Sequence, residues 1–479
     1  MTMNPIKRNI ITAIICSSIF YTGCKVPSLV ATPAQKTPPS SYTNTLDTVN
    51  SGNIRWRKFF TDKYLVSLID TALQNNQELL TTLQEIEIAR NDVRVRQGQL
   101  LPFVTGAAGI GVEKVGRYTS QGAGDASTEM KPGQPVPEWL PDHAIAVHAD
   151  WEVDIWKKLR NAKKAAVARY LSTIEGKNFV VTNLVAEIAN SYYELRALDN
   201  QLAIVRKAID LQDSALEVMR VQKQAARVTE LAVKKFEAEV LNSQSLEFDI
   251  LQHIKQTENE INFLLGRYPQ PIARDTTTFL DLTPPFIQQG IPSQLLSNRP
   301  DIRQAELELT AAKLDVKVAR AEFYPTFDIS AALGFNAFNP AYLVKFPESL
   351  IFSLAGDLAG PLINKSAIKA EYNSANARQL QAIYNYDKSV LNAYIEVSTE
   401  LSNISNLQSK YVLKSKQSDA LITSIGISND LFKSARADYL EVLMTQRDAL
   451  DAKLELIETR LSQFNAVTNV YRELGGGWR

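Results

Sequence analysis

The chain contains no run of about 18 or more apolar residues, so no segment reads as a membrane-spanning helix. It lacks any charge imbalance: 52 basic residues face 52 acidic ones. That argues against a nucleic-acid binder, which needs a basic surface to meet phosphates. Histidine is scarce. His143, His148 and His253 are three in number, and no two have the spacing of metal ligands on a helix. Gly109 and Gly111 lack the third glycine and following helix of a nucleotide-binding loop. The five methionines are unclustered, which leaves no soft-metal track. Neither an enzyme nor a cofactor is expected, and the energy for any transport must come from elsewhere. Proline is missing from residues 142–268 and from everything after Pro361. Very long helices are permitted there.

Cysteine is nearly absent too, with Cys16 and Cys24 alone. Lys7 and Arg8 precede a short apolar segment, Ile10 to Phe20, and then "YTGC". This is the three-part pattern of a secretory signal. A small residue before cysteine resembles the lipobox of bacterial lipoproteins, with Tyr21 where Leu is usual. Cys24 is therefore expected to carry a covalent lipid and become the mature N-terminus. Cys16 would leave with the signal, so no disulfide forms. Lys25, rather than Asp, favours the outer membrane.

The chain is written twice. Leu73 to Pro102 aligns with Leu296 to Pro325 at a constant offset of 223, matching Asn75 with Asn298, Val93 with Val316 and Pro102 with Pro325. "AARVTEL" (Ala225 to Leu231) then matches "SARADYL" (Ser434 to Leu440) at an offset of 209. An internal repeat sets the fold class. Each copy reads helix, strand, loop, strand and long helical hairpin. The strands fall at about 103–115 and 143–153, then 326–335 and 349–358. Each alternates apolar with small or polar residues over about ten positions, the pattern of a strand crossing a bilayer; a half-buried strand of a soluble sheet has the same alternation. Gly116 to Pro141 is rich in Gly, Ser and Pro and reads as a loop.

The hairpin arms carry seven-residue repeats. Leu443, Leu450, Ile457, Phe464 and Tyr471 form one seam; others are interrupted at Asp199, Ser243, Glu247 and Thr257. Such seams face a neighbouring helix and impose supercoiling. An arm of about 65 residues is roughly 100 Å long, more than a globular domain uses. Four strands cannot close a barrel in hydrocarbon. Three copies supply twelve strands and twelve hairpin arms; a dimer with eight strands is arithmetically open.

"WEVDIWKKLR" (Trp151 to Arg160), "GIPSQLLSNRPDI" (Gly290 to Ile302), "AEFYP" (Ala321 to Pro325) and "LGGGW" (Leu474 to Trp478) resemble the TolC-type outer-membrane efflux proteins. With the lipobox, they resemble the lipoprotein branch serving resistance-nodulation-division pumps. Lys157 stands where that family commonly has Gly. The resemblance implies a mainly α protein with a membrane β-barrel. In it, a homotrimer builds a 12-stranded barrel, four strands per protomer, continuous with a periplasmic α-helical barrel. The expected organisation is a signal over 1–23 and an acylated segment over 24–60. The first repeat covers 61–271, an equatorial linker 272–292 and the second repeat 293–479.

Pro102 and Pro325 would mark the crossing from periplasm to lipid, with Trp151, Trp156 and Phe323 near that boundary. The hairpin tips would dock a periplasmic adaptor and close the channel, through Arg227, Arg436, Asp438 and Glu441. Met444 replaces an acid frequent in the family. The implied partners are an adaptor (membrane fusion protein), an inner-membrane pump of the resistance-nodulation-division type and outer-membrane lipid, with no nucleic acid. Protein secretion through the same fold, and a poreless periplasmic scaffold, are the alternative readings.

Overall fold

The computed structural model describes residues 37–42, 48–275, 277–361 and 365–479. Cys24 and its signal lie outside them. Contacts divide the chain into two compact units. Ile88–Tyr170 and Glu308–Ile383 belong to the first; Ala34–Glu87, Leu171–Leu307 and Tyr384–Arg479 form the second.

The helices repeat as the sequence does. Lys63–Asn75 (α1) and Gln77–Gly98 (α2) precede the first strand pair, and Lys158–Gln224 (α3) and Glu230–Leu264 (α4) follow it. In the second copy Pro300–Ala321 (α5) precedes the strands, and Ser366–Lys433 (α6) and Tyr439–Glu473 (α7) follow. The hairpin arms are 67 and 35 residues in one copy, 68 and 35 in the other. Even the helix breaks correspond. Asn76 and Arg299, at the repeat's offset, both leave helical geometry with ψ near 120°.

In the first unit, strands Phe103–Glu113 (β1), Leu140–Glu152 (β2), Thr326–Ala337 (β3) and Leu350–Ala359 (β4) form one antiparallel sheet in the order β1-β2-β3-β4. The register turns alternation along single strands into two chemically distinct faces. One carries Val147, Leu333 and Phe352 side by side, with Gly106 opposite Val147 and Val104 on the same face two residues earlier on β1. The other carries Thr105, His148, Ala332 and Ser353. Beside the sheet, Phe323 packs edge-on to Tyr372 in a small core with Val316, Ala319 and Ala375.

The segment 116–141 departs from the loop reading. It holds a helix, Ser120–Ser127, and a small hairpin of Glu129–Lys131 with Gln134–Pro135. Thr119 caps the helix by accepting from Gly122 N–H at 3.1 Å. A β-carbon on Gly122 would meet Gly116 O at 2.3 Å. Gly122, which reads as loop, makes the close approach this short helix requires.

The second unit has a core of Trp56, Phe60, Ile69, Tyr192, Phe464 and Tyr471. The N-terminal segment and the linker meet there: Ser51 N–H donates to Gln288 O, and Tyr471 O–H to Ile54 O. Asp199 interrupts a heptad seam because it pairs with linker residue Arg274 through both carboxylate oxygens, at 2.5 and 2.9 Å.

Candidate functional site at the helix tips and strand ends

The hairpin turns are in the second unit. At the first, Ala226 N–H donates to Lys223 O and Arg227 N–H to Gln222 O, both at 2.9 Å. At the second, Ala435 N–H reaches Phe432 O and Arg436 N–H reaches Leu431 O. This is the double bond that closes a helix through one left-handed residue, usually glycine. Here the residues are Ala226 and Ala435, with φ of 52° and 56°. The far ends of the hairpins use the same closure with glycine, at Gly266 and Gly475.

The four tip residues named from sequence do different jobs. Asp438 is the N-cap of α7 and accepts from Tyr439 N–H at 2.6 Å. Glu441 lies in the first turn of α7, exposed, where a negative charge suits the helix dipole. Arg227 and Arg436 end the turns with exposed guanidiniums. Among the described residues, Glu441 has no ion pair with either arginine. Leu231 and Leu440, equivalent in the repeat, are 60% and 36% exposed. Behind the tips the hairpins lock together: Leu443 packs with Leu216, Met219 and Phe236.

The residues expected at the membrane boundary belong to the first unit. Pro102 and Pro325 each stand directly before a strand. Trp151 donates its indole N–H to Leu100 O at 3.1 Å. Trp156 donates to Pro325 O at 2.7 Å and stacks on Tyr324 at 4.7 Å. Phe323 is 2% exposed and fills the helix core. Asp154 begins α3 by accepting from Leu159 and Arg160 N–H groups. Those hydrogen bonds and the charge of Arg160 outweigh burial and hold its carboxyl below the usual range. Lys157 sits between them at φ 63°, which explains why glycine suits that position.

Sequence reading missed one cluster in the second unit. Arg299 of "NRPDI" pairs with Asp301 and Glu396, at 2.7 and 2.8 Å, and donates to Glu473 O. Trp478 of "LGGGW" donates to Asn298 O at 3.3 Å. Two separated motifs are thus one contact. Glu473 is 7% exposed and its Oε2 has no hydrogen-bond partner. Burial lifts its carboxyl to about 7; Glu400 and Glu396 add to this, against Arg472 and Arg299.

Amphipathic membrane-length strands, a duplicated plan and long helical hairpins define the protomer of an outer-membrane channel. The chain belongs to the outer membrane efflux protein family, whose model matches residues 68–267 and 291–476. It is 27% identical over 426 residues to the pyoverdine export outer membrane protein OpmQ of Pseudomonas aeruginosa, covering 89% of this chain and 88% of that one. The probable outer membrane lipoprotein SilC of Salmonella typhimurium is 23% identical over 423 residues, 88% of each chain. Among solved structures, the open state of the MtrE outer membrane channel of Neisseria gonorrhoeae superposes with a TM-score of 0.82. It is 21% identical over 95% of this chain and 98% of that one. The fold is TolC-like, the location is the outer membrane and the function is that of an efflux channel. Members of the family are channels rather than enzymes.

Proposed function

We propose that three copies of this chain form the exit duct of a tripartite efflux system. Small molecules pass through it without energy input here. A periplasmic adaptor seats on the hairpin tips, and a resistance-nodulation-division pump in the inner membrane drives the flow. Cys24 carries the lipid anchor, a reading supported by "YTGC" and by likeness to a probable outer membrane lipoprotein.

One observation carries the assembly. Within the chain β1 and β4 are edge strands, almost wholly exposed, at the two ends of a four-stranded sheet. An open edge in hydrocarbon leaves backbone groups unpaired at several kcal/mol each. Joining β4 of one copy to β1 of the next removes every edge when the ring closes. Twelve strands satisfy the even count of bacterial barrels and bring twelve hairpin arms to wall a tube. Native mass spectrometry of a mild-detergent extract should give a particle of three protomers that conducts ions in planar bilayers. A folded, conducting monomer would overturn the reading.

The tips are the place for a gate and a docking face. Leu231 and Leu440 are exposed apolar equivalents, suited to adaptor contact. Three copies of Glu441 converging would repel by about 1 kcal/mol per pair at 4 Å in water, several-fold more near a protein surface. Bound cations, or Arg227 and Arg436 of adjacent copies, would offset this. Glu441→Gln is expected to weaken divalent-cation block from the periplasmic side in single-channel recordings. Unchanged block would remove Glu441 from the gate.

A further inference from the structure

We propose that the helix turns beside the sheet form a binding surface for anionic phospholipid headgroups of the inner leaflet of the outer membrane, with Lys157, Lys163 and Lys164 meeting the phosphates next to Trp156. The proposal rests on the outer-membrane reading and goes beyond it.

Charge is sorted along the first unit although the whole chain is neutral. Its non-strand segments bordering the sheet, residues 88–101, 153–170, 308–325 and 360–383, hold fifteen Lys and Arg against six Asp and Glu. Its strands and connecting loops, residues 103–152 and 326–359, hold four against ten. The excess of nine positive charges is densest at the start of α3, where cations oppose the helix dipole. Helix stability therefore does not account for it. Internal pairing accounts for part: Lys158 pairs with Glu152, Arg160 with Asp154 and Arg169 with Asp315. Among the described residues, Lys157, Lys163 and Lys164 have no anionic partner. Lys157 keeps its charged side chain at a left-handed position that glycine would take without strain.

Trp156 points to the bilayer as the occupant's source. It is 45% exposed and its neighbour Ile155 is 48% exposed, yet the indole is fixed by Tyr324 and Pro325 O. A held, half-exposed indole at a strand end belongs at headgroup level. Trp156, Tyr324 and Lys158 line an open cleft of about 380 Å³ whose walls also hold Glu152, Asp154 and Glu322, so the phosphates meet Lys157, Lys163 and Lys164 beside the cleft rather than in it. Basic residues beside an anionic bilayer surface each strengthen attachment about fivefold.

The test uses the full-length channel in nanodiscs of phosphatidylcholine with a graded fraction of phosphatidylglycerol. Retained lipids are counted by native mass spectrometry. The wild type should keep phosphatidylglycerol above its bulk fraction. Lys157→Gly with Lys163→Gln and Lys164→Gln should lower that enrichment at least tenfold, and Lys114→Gln in an outer loop should not. Lys157→Gly alone must fold, because glycine fits the backbone there, and should lower it severalfold. Added inorganic phosphate at millimolar concentration should leave the lipid in place. No enrichment in the wild type, equal enrichment in the triple variant, or displacement by free phosphate each overturns the proposal. Conductance in pure phosphatidylcholine should match wild type; a wild type that fails to conduct counts against the duct and leaves the lipid count readable.

Discussion

Glu473 is a buried carboxyl that should make the whole chain's stability depend on pH. Its folded pKa, about 7, lies above the ordinary 4.5. The folded state therefore binds the proton more tightly than the unfolded state does. The associated stability is fully present below about pH 4.5 and is lost as pH rises through about 7. On the order of 3 kcal/mol is at stake if the full shift is realised. Thermal melting should thus fall between about pH 5 and pH 8, and Glu473→Gln should flatten that slope and raise the melting point at the alkaline end. A slope unchanged by the substitution would assign the dependence to another group. This residue was illegible in the sequence for a physical reason. Its burial depends on Arg299 and the "LGGGW" tail meeting, and no local pattern encodes a contact between positions about 180 residues apart. Lys157 was legible only as an odd residue; its positive φ supplies the cause.

At the scale of elements, the sequence was far more open to reading. Proline, or its absence, bounds strands and helices by removing a donor, and alternation of period two needs no tertiary knowledge. The breaks in the heptads were visible as well, but their reasons were not: Asp199 is held by Arg274, and Glu247 by Arg206 at 2.7 Å from the facing arm. The short helix at Ser120–Ser127 escaped because its glycines and serines are also loop formers. Helix termination yields a prediction. Ala226 and Ala435 carry a β-carbon in the left-handed region, at about 1 kcal/mol each. Glycine relieves this but gains freedom in the unfolded chain. Ala226→Gly and Ala435→Gly should each stabilise by about 0.5 kcal/mol, seen as a rise in the denaturant midpoint. Gly266→Ala and Gly475→Ala should do the opposite and more strongly, because their β-carbons would lie 2.3 and 2.5 Å from Asn75 O and Asn298 O.

At the scale of the whole molecule, the duplicated plan was legible because a repeat is a comparison of the chain with itself. The proposed assembly rests on counting strands and asking which edges hydrocarbon tolerates. The sheet's register adds something counting cannot. On the small, polar face Glu152, Asp328 and Asp357 stand directly abreast on β2, β3 and β4. Like charges so placed destabilise a sheet, and Lys158 answers Glu152 at 2.5 Å. In the proposed ring of three, this row would become a belt of carboxylates around the lumen at the inner mouth of the barrel. Such a belt would hold mobile cations in the neck and thin out small anions, making the open pore a leaky cation exchanger. Under a potassium chloride gradient the reversal potential should lie on the cation side and relax toward zero in Asp328→Asn with Asp357→Asn. Anionic cargo would then cross that belt more slowly than neutral cargo of the same size, and raised salt would narrow the difference by screening.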